Sequence, residues 1–156
     1  MSQAGYTPIQ LYHSTSAGTA PTAGNLAPGE LGLNIADMRL YCENSGGTVE
    51  MLAAPGIPIS GAAKTTSYSL ATGDVGQTIE IGSGGSITIP DATFSAGDAV
   101  LLFNNTTAGI TITCTITTAY ISGTDADKAT MTLATRGVAN VLFISGTVCV
   151  VTGNVS

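Results

Sequence analysis

The sequence predicts an all-β protein: a short N-terminal hairpin region, then a jelly-roll-like β-sandwich. Three observations carry that reading. Of 156 residues, 24 are Thr and 20 are Gly, a mixture that suits strands and turns and disfavours helix interiors. Apolar and polar residues alternate with period two, most cleanly in Ile110-Thr111-Ile112-Thr113-Cys114-Thr115-Ile116-Thr117, which sets Ile and Cys on one face and Thr on the other. Turn signals recur about every 8–12 residues, the spacing of a sandwich or jelly roll. No stretch combines helical periodicity with capping residues.

A Pro/Gly-rich joint, Ala54-Pro55-Gly56-Ile57-Pro58-Ile59-Ser60-Gly61, separates residues 1–58 from residues 59–156. The first region opens with an extended segment, Pro8-Ile9-Gln10-Leu11-Tyr12-His13, followed by the polar loop at residues 14–24. That loop has no apolar face to bury, so it is expected on the surface or against another chain. Residues 30–35 and 39–43 read as a β-hairpin, and residues 48–52 as a further strand. Elements this few and short do not bury a stable core alone, so the region needs a partner surface.

The second region is a run of strand patterns. Residues 78–81 and 86–89 flank Gly82-Ser83-Gly84-Gly85, which reads as a hairpin turn. Ala99-Val100-Leu101-Leu102-Phe103 is continuously apolar, as expected of a strand buried on both faces. Residues 110–117, 128–135, 138–145 and 147–152 complete the series.

Composition excludes several functions. Lys plus Arg number only 4 against 10 Asp plus Glu, a net charge of −6, so the clustered cations that bind nucleic acid are missing. The charge is shared evenly, −3 in each region. No stretch approaches the roughly 20 apolar residues of a membrane span. The first residues show neither a basic start nor an apolar run, so no signal peptide is expected and synthesis in a cytoplasm is. Cys42, Cys114 and Cys149 are odd in number and lack Cys-x-x-Cys spacing, which points to free, buried thiols rather than a disulfide framework or zinc site.

Candidate chemistry is sparse. His13 is the single histidine, so a nucleophile–histidine–acid site has no second landmark. Asp125-Ala126-Asp127 offers two carboxylates but lacks the alternating acids and closing Glu of a calcium loop. Asp91 and Asp98 flank Phe94, yet nothing marks the groove that paired glycosidase acids require. Gly82-Ser83-Gly84-Gly85 lacks the Lys of a nucleotide loop and opens no helix. Neither catalysis, nor a cofactor, nor a metal is expected. Strands dressed in Thr and Ser, without the Lys and Glu that block edge pairing, suit packing against copies of the chain, and a homotrimer is expected.

The stretch Pro21-Thr22-Ala23-Gly24-Asn25-Leu26-Ala27-Pro28-Gly29-Glu30-Leu31-Gly32-Leu33-Asn34-Ile35-Ala36-Asp37-Met38-Arg39-Leu40-Tyr41 resembles a segment found near the N-termini of tailed-bacteriophage fibre and virion-surface proteins. Met38 departs from it, since that family often places Gly in the hairpin turn. The resemblance implies a structural virion protein, usually trimeric, docked by its N-terminal part with the distal part facing outward. With no repeat or heptad shaft for a long fibre, a short capsid decoration or cement protein, or head fibre, fits better. A tail-fibre or receptor-binding knob that binds a host surface glycan is the alternative. Capsid or tail proteins are then the partners and the virion is the location. Residues 1–58 would carry attachment, with Pro21, Leu26, Pro28, Leu31 and Leu33 as contacts: the prolines limit the entropy lost on docking and the leucines supply apolar area.

Overall fold

The computed structural model describes residues 10–156; Pro8, Ile9 and the N-terminal residues considered for a signal peptide lie outside the described residues. The protein is all-β and divides between Gly56 and Ile57, inside the Pro/Gly-rich joint, into two compact units.

The first unit is a four-stranded sheet. β1 (Tyr12–Ser14) runs parallel to β2 (Leu31–Asn34); β2 forms an antiparallel hairpin with β3 (Arg39–Glu43); β4 (Val49–Ala53) lies antiparallel to β3. The hairpin turns through Ile35-Ala36-Asp37-Met38, and Met38 closes it at φ 56°. That is left-handed backbone, which costs an L side chain roughly 1–2 kcal/mol. Ala27-Pro28-Gly29-Glu30 is a type II turn, with Pro at its second position, Gly29 at φ 84° and the Glu30 N–H donating to the Ala27 carbonyl at 2.8 Å.

The second unit holds β5 (Ser67–Ser69), a 3₁₀ turn (Thr72–Asp74), β6 (Thr78–Ile81), β7 (Ser86–Ile89), β8 (Ala99–Asn104), β9 (Ile110–Cys114), β10 (Thr118–Ile121), β11 (Thr130–Leu133), β12 (Val138–Ser145) and β13 (Val148–Gly153). They form a five-stranded sheet, β10-β13-β12-β8-β6, and a four-stranded sheet, β11-β9-β7-β5. From β5 to β12 the chain changes sheet at every strand. Both sheets turn Ile, Leu and Val into one core, with Ile79, Ile81, Ile87, Ile89, Val100, Leu102, Ile112, Leu133, Val141, Phe143 and Val151 fully buried. Phe94 and Phe143 stack within it at 3.9 Å between ring centroids.

This topology corrects the expected jelly roll. A jelly roll pairs antiparallel strands by Greek-key connections. Here β5, β7 and β9 stack parallel in one sheet, β6 and β8 stack parallel in the other, and β10 runs parallel to β13. That coiling is the pattern of a β-solenoid, with β11 and β12 laid antiparallel on its last rung.

Residues 82–85 are likewise not a hairpin turn. β6 and β7 belong to different sheets, and the glycines form a corner of the coil. A Cβ on Gly85 would lie 2.1 Å from the Lys64 carbonyl oxygen, so only glycine lets the preceding rung pass there.

Three of the four sheet edges of the second unit are covered. Residues 58–64 run beside β6, residues 154–156 pair with β11, and residues 127–128 lie along β10. This protects the edges without the charged side chains that solvent-exposed strands ordinarily use.

Candidate functional site

The segment at residues 14–41 holds all the residues expected to make contacts, and it is built around Asn34. The Asn34 side chain is fully buried. Its amide nitrogen donates to the carbonyls of Ser16 at 2.9 Å and Thr19 at 2.8 Å; its oxygen accepts from the N–H groups of Ala36 at 2.9 Å and Asp37 at 3.1 Å. An asparagine has two donors and two lone pairs to satisfy, and here all four are used. The Asp37 carboxylate adds a bond from the Gly18 N–H at 2.5 Å. The loop at residues 14–24 therefore has an internal reason to be ordered although it has no apolar face to bury. Polar bonds to the hairpin fix it where an apolar face is missing.

Two of the expected contact residues face inward. Pro21 and Leu26 are buried over β2, where a Cβ on Gly32 would meet Pro21 Cγ at 2.9 Å and the Leu26 methyls at 3.3 Å. Gly32 is thus required so that the loop can close on the sheet. Tyr41, opposite Gly32, completes this covered face at 6% exposure. Thr22, Asn25 and Glu30 work locally: Asn25 accepts from the Thr22 N–H and hydroxyl, and Glu30 from the Ala27 N–H.

Pro28 is exposed, and Leu31 and Leu33 are half-buried. Strand alternation puts Leu31 and Leu33 on the face opposite the loop. Leu33 pairs with His13 on one side and Leu40 on the other, and Leu31 pairs with Cys42. Ile35 extends this row at 45% exposure, and Leu52 stands at a β4 irregularity at 57%. A cavity of about 300 Å³ lies here, lined by Gln10, Leu11, His13, Leu33 and Ile35. The face is apolar with Glu50 at its margin. Ile35 and Leu40 were not singled out in the sequence, although their register with Leu33 follows once the hairpin is drawn.

Three of the four candidate acids of the second unit, Asp91, Asp98 and Asp127, are tied to backbone. Asp91 accepts from the Thr117 N–H and hydroxyl, Asp98 from the Ser95 N–H, and Asp127 from the Ala119 N–H. Buried Asp74 accepts from the Tyr68 hydroxyl and the Ala71 N–H; burial, then this bond, raises the Tyr68 pKa. Lys64 sits over the Tyr68 ring at 4.3 Å. His13 bonds through Nδ1 to the Leu11 carbonyl oxygen. Among the described residues no group of three or more His, Cys, Asp or Glu comes together to hold a metal ion. No helix there is long and apolar enough to cross a membrane.

Cys42, Cys114 and Cys149 are free thiols. Burial pushes the Cys114 thiol up to about 11, with the Asp127 charge adding to it. Burial, then Cys114 and Asp127, pushes Cys149 up to about 12. Both stay protonated, and therefore unreactive, at neutral pH.

Asn104 plays in the second unit the part Asn34 plays in the first. Fully buried at the end of β8, it donates to the carbonyls of Ala108 and Ala134 at 2.8 Å each, and its oxygen accepts from the Thr106 N–H and hydroxyl. A hydroxyl-lined groove of about 320 Å³ runs beside this corner, between Ser83–Ser86 and Thr106–Thr111. No protein-family model matches the chain, and no curated protein is found to be similar to it.

Proposed function

We propose that the protein is a non-enzymatic structural protein of a tailed-phage virion, a short capsid decoration or cement protein or head fibre, anchored by its N-terminal unit. One observation carries the reading. The polar residues of the phage-like segment are spent internally, on Asn34, Asp37, Glu30 and Asn25 bonds, while Leu31, Leu33, Ile35 and Leu40 form an apolar face on the other side of the same sheet. A segment that fixes its own loop and leaves a largely apolar sheet face, bordered by His13 and Glu50, is suited to docking on another protein. Pro21 and Leu26 act by shaping the unit, and Leu31, Leu33 and Pro28 are the residues left to make contact.

Deleting the segment would remove β2 and most of β3 and unfold the unit, so point changes make the better test. Ile35→Asp and Leu33→Asp, added to particles that lack the protein, should decorate at least tenfold more weakly than wild type. Pro28→Ala should lose less. Wild-type occupancy by both aspartate variants would place attachment elsewhere. The alternative, a receptor-binding knob, has the hydroxyl-lined groove at Ser83, Ser86, Thr106, Thr107 and Thr111 in its favour. Selective binding to a saccharide on a glycan array, lost in Thr107→Val, would favour it over the cement role.

A further inference from the structure

The two outer faces of the second unit are dressed differently. On the four-stranded sheet, the outward rows are Ser69, Thr88, Thr113 and Thr130, then Thr111 and Thr132, then Ser67 and Ser86. On the five-stranded sheet, one outward row is Ala99, Leu142, Val150 and Tyr120; the next is Thr78, Leu101, Asn140 and Thr152; Phe103 and Val138 follow. Val138, Leu142 and Ile144 are 42%, 38% and 51% exposed. A cavity of about 300 Å³ opens on this face between Ile57, Gln77, Ala99, Leu101 and Asn140.

We infer that this outer face of the five-stranded sheet is where copies of this chain associate. Four features select a second copy as the occupant. First, the rows carry no charge except Glu80 at the rim, where it accepts from Asn105 at 2.6 Å. A charged or polar partner finds nothing to pair with, whereas an uncharged face meets its own image without repulsion despite a chain charge of −6. Second, Asn140 stands among these apolar residues and makes no side-chain hydrogen bond within the described chain. An amide is both donor and acceptor, so it complements the same amide across a symmetry axis. Third, strands about 4.8 Å apart and about 3.3 Å per residue make the face roughly 20 by 20 Å, in the range of the largest patches on monomers, which are often functional. Two such faces together remove on the order of 1,000 Å² of accessible surface, the size at which specific interfaces begin. Fourth, a polar rim of Glu80, Asn105 and Arg136 borders the apolar centre, the arrangement of an interface.

The inference is independent of the attachment reading, which concerns the first unit, and it relocates the expected self-association from the Thr-covered strands to the apolar ones. Light scattering on the full chain at micromolar concentration should give twice the 15.5 kDa of one chain, since a face that meets its own image pairs two copies. Leu142→Lys should shift the mass to that of one chain while keeping the β circular dichroism spectrum, and Thr132→Lys, on the opposite sheet, should leave the pair intact. Hydroxyl-radical labelling of the wild type supplies a measurement that needs no variant to fold: Val138, Leu142 and Ile144 should be labelled several-fold less at high concentration than at high dilution. A wild-type monomer, an oligomer that a folded Leu142→Lys does not disturb, or labelling that ignores concentration would each overturn it.

Discussion

Asn34→Asp tests how the N-terminal unit holds its loop. Aspartate has the shape of asparagine, so packing is kept while the two donors become an acceptor. The bonds from the Ala36 and Asp37 N–H groups survive, but a carboxylate oxygen now faces the Ser16 and Thr19 carbonyls at the former 2.9 and 2.8 Å. Each lost bond is worth about 1 kcal/mol, and each carbonyl left buried without a donor costs about 1–3 kcal/mol more. Opening the loop restores those carbonyls to water, so the loss takes the form of loop release. Even the low end for the two carbonyls, about 4 kcal/mol, is on the order of 1,000-fold in the opening equilibrium. The readout is cleavage between residues 14 and 24 by a broad-specificity protease, whose rate follows the open population when closing is fast. Amide exchange adds a second discriminator: the Ala36 and Asp37 N–H groups should stay protected in Asn34→Asp and lose protection in Asn34→Ala. Cleavage of Asn34→Asp at the wild-type rate would show that these donor bonds do not hold the loop.

Asn104→Ala should cost the second unit about 3–4 kcal/mol, since the Thr106 N–H and the Ala134 carbonyl lose their partner, and lower its melting temperature by about 12–25 °C; a change within a few degrees would contradict the buried network. Met38→Gly should stabilise the first unit by about 0.5–1 kcal/mol, because it relieves left-handed backbone on a side chain that is 68% exposed; a lower denaturant midpoint would count against it. Below pH 8 a thiol reagent should label Cys42 on the folded protein, and Cys114 and Cys149 only after unfolding. With folded values raised to about 11 and about 12 from an ordinary 9.0, these two thiols favour the folded state fully below pH 9. Above pH 9 the unfolded chain loses protons that the folded chain keeps, so stability should fall by up to about 1.4 kcal/mol per pH unit for each thiol. Flat stability from pH 9 to 11 would refute this.

Periodicity made the strands legible but not their partners. Residues 78–81 and 86–89 alternate as expected, and their isoleucines are all buried. Two alternating strands joined by a Gly-rich turn describe a hairpin and a solenoid corner equally well. What separates them is the approach of Lys64 to Gly85, a contact between residues distant in the chain. β5 and β10 escaped notice for a related reason: Ser67-Tyr68-Ser69 and Thr118-Ala119-Tyr120-Ile121 are too short and too mixed to signal a strand without the neighbouring rung. At the candidate site, Pro21 and Leu26 were recognised as apolar, but which surface they cover depends on Gly32, which reads as unremarkable until the hairpin is folded. The two buried asparagines gave no signal at all, because asparagine in a polar context looks like an exposed turn residue.

The apolar run at residues 99–103 shows what such a reading leaves open. A strand apolar on both faces implies two layers against it, as in a sheet covered on each side. In the single chain, Val100 and Leu102 meet the core, while Ala99, Leu101 and Phe103 are half-buried on the other side. The coil supplies one of the two layers. Threonine on the outer face of β9 and β11 shows that the same chain dresses a sheet for water where water is its neighbour. The apolar face of β8, β12 and β13 therefore asks for a second layer that the second unit by itself does not provide. Its absence of charge makes another copy the partner it fits best.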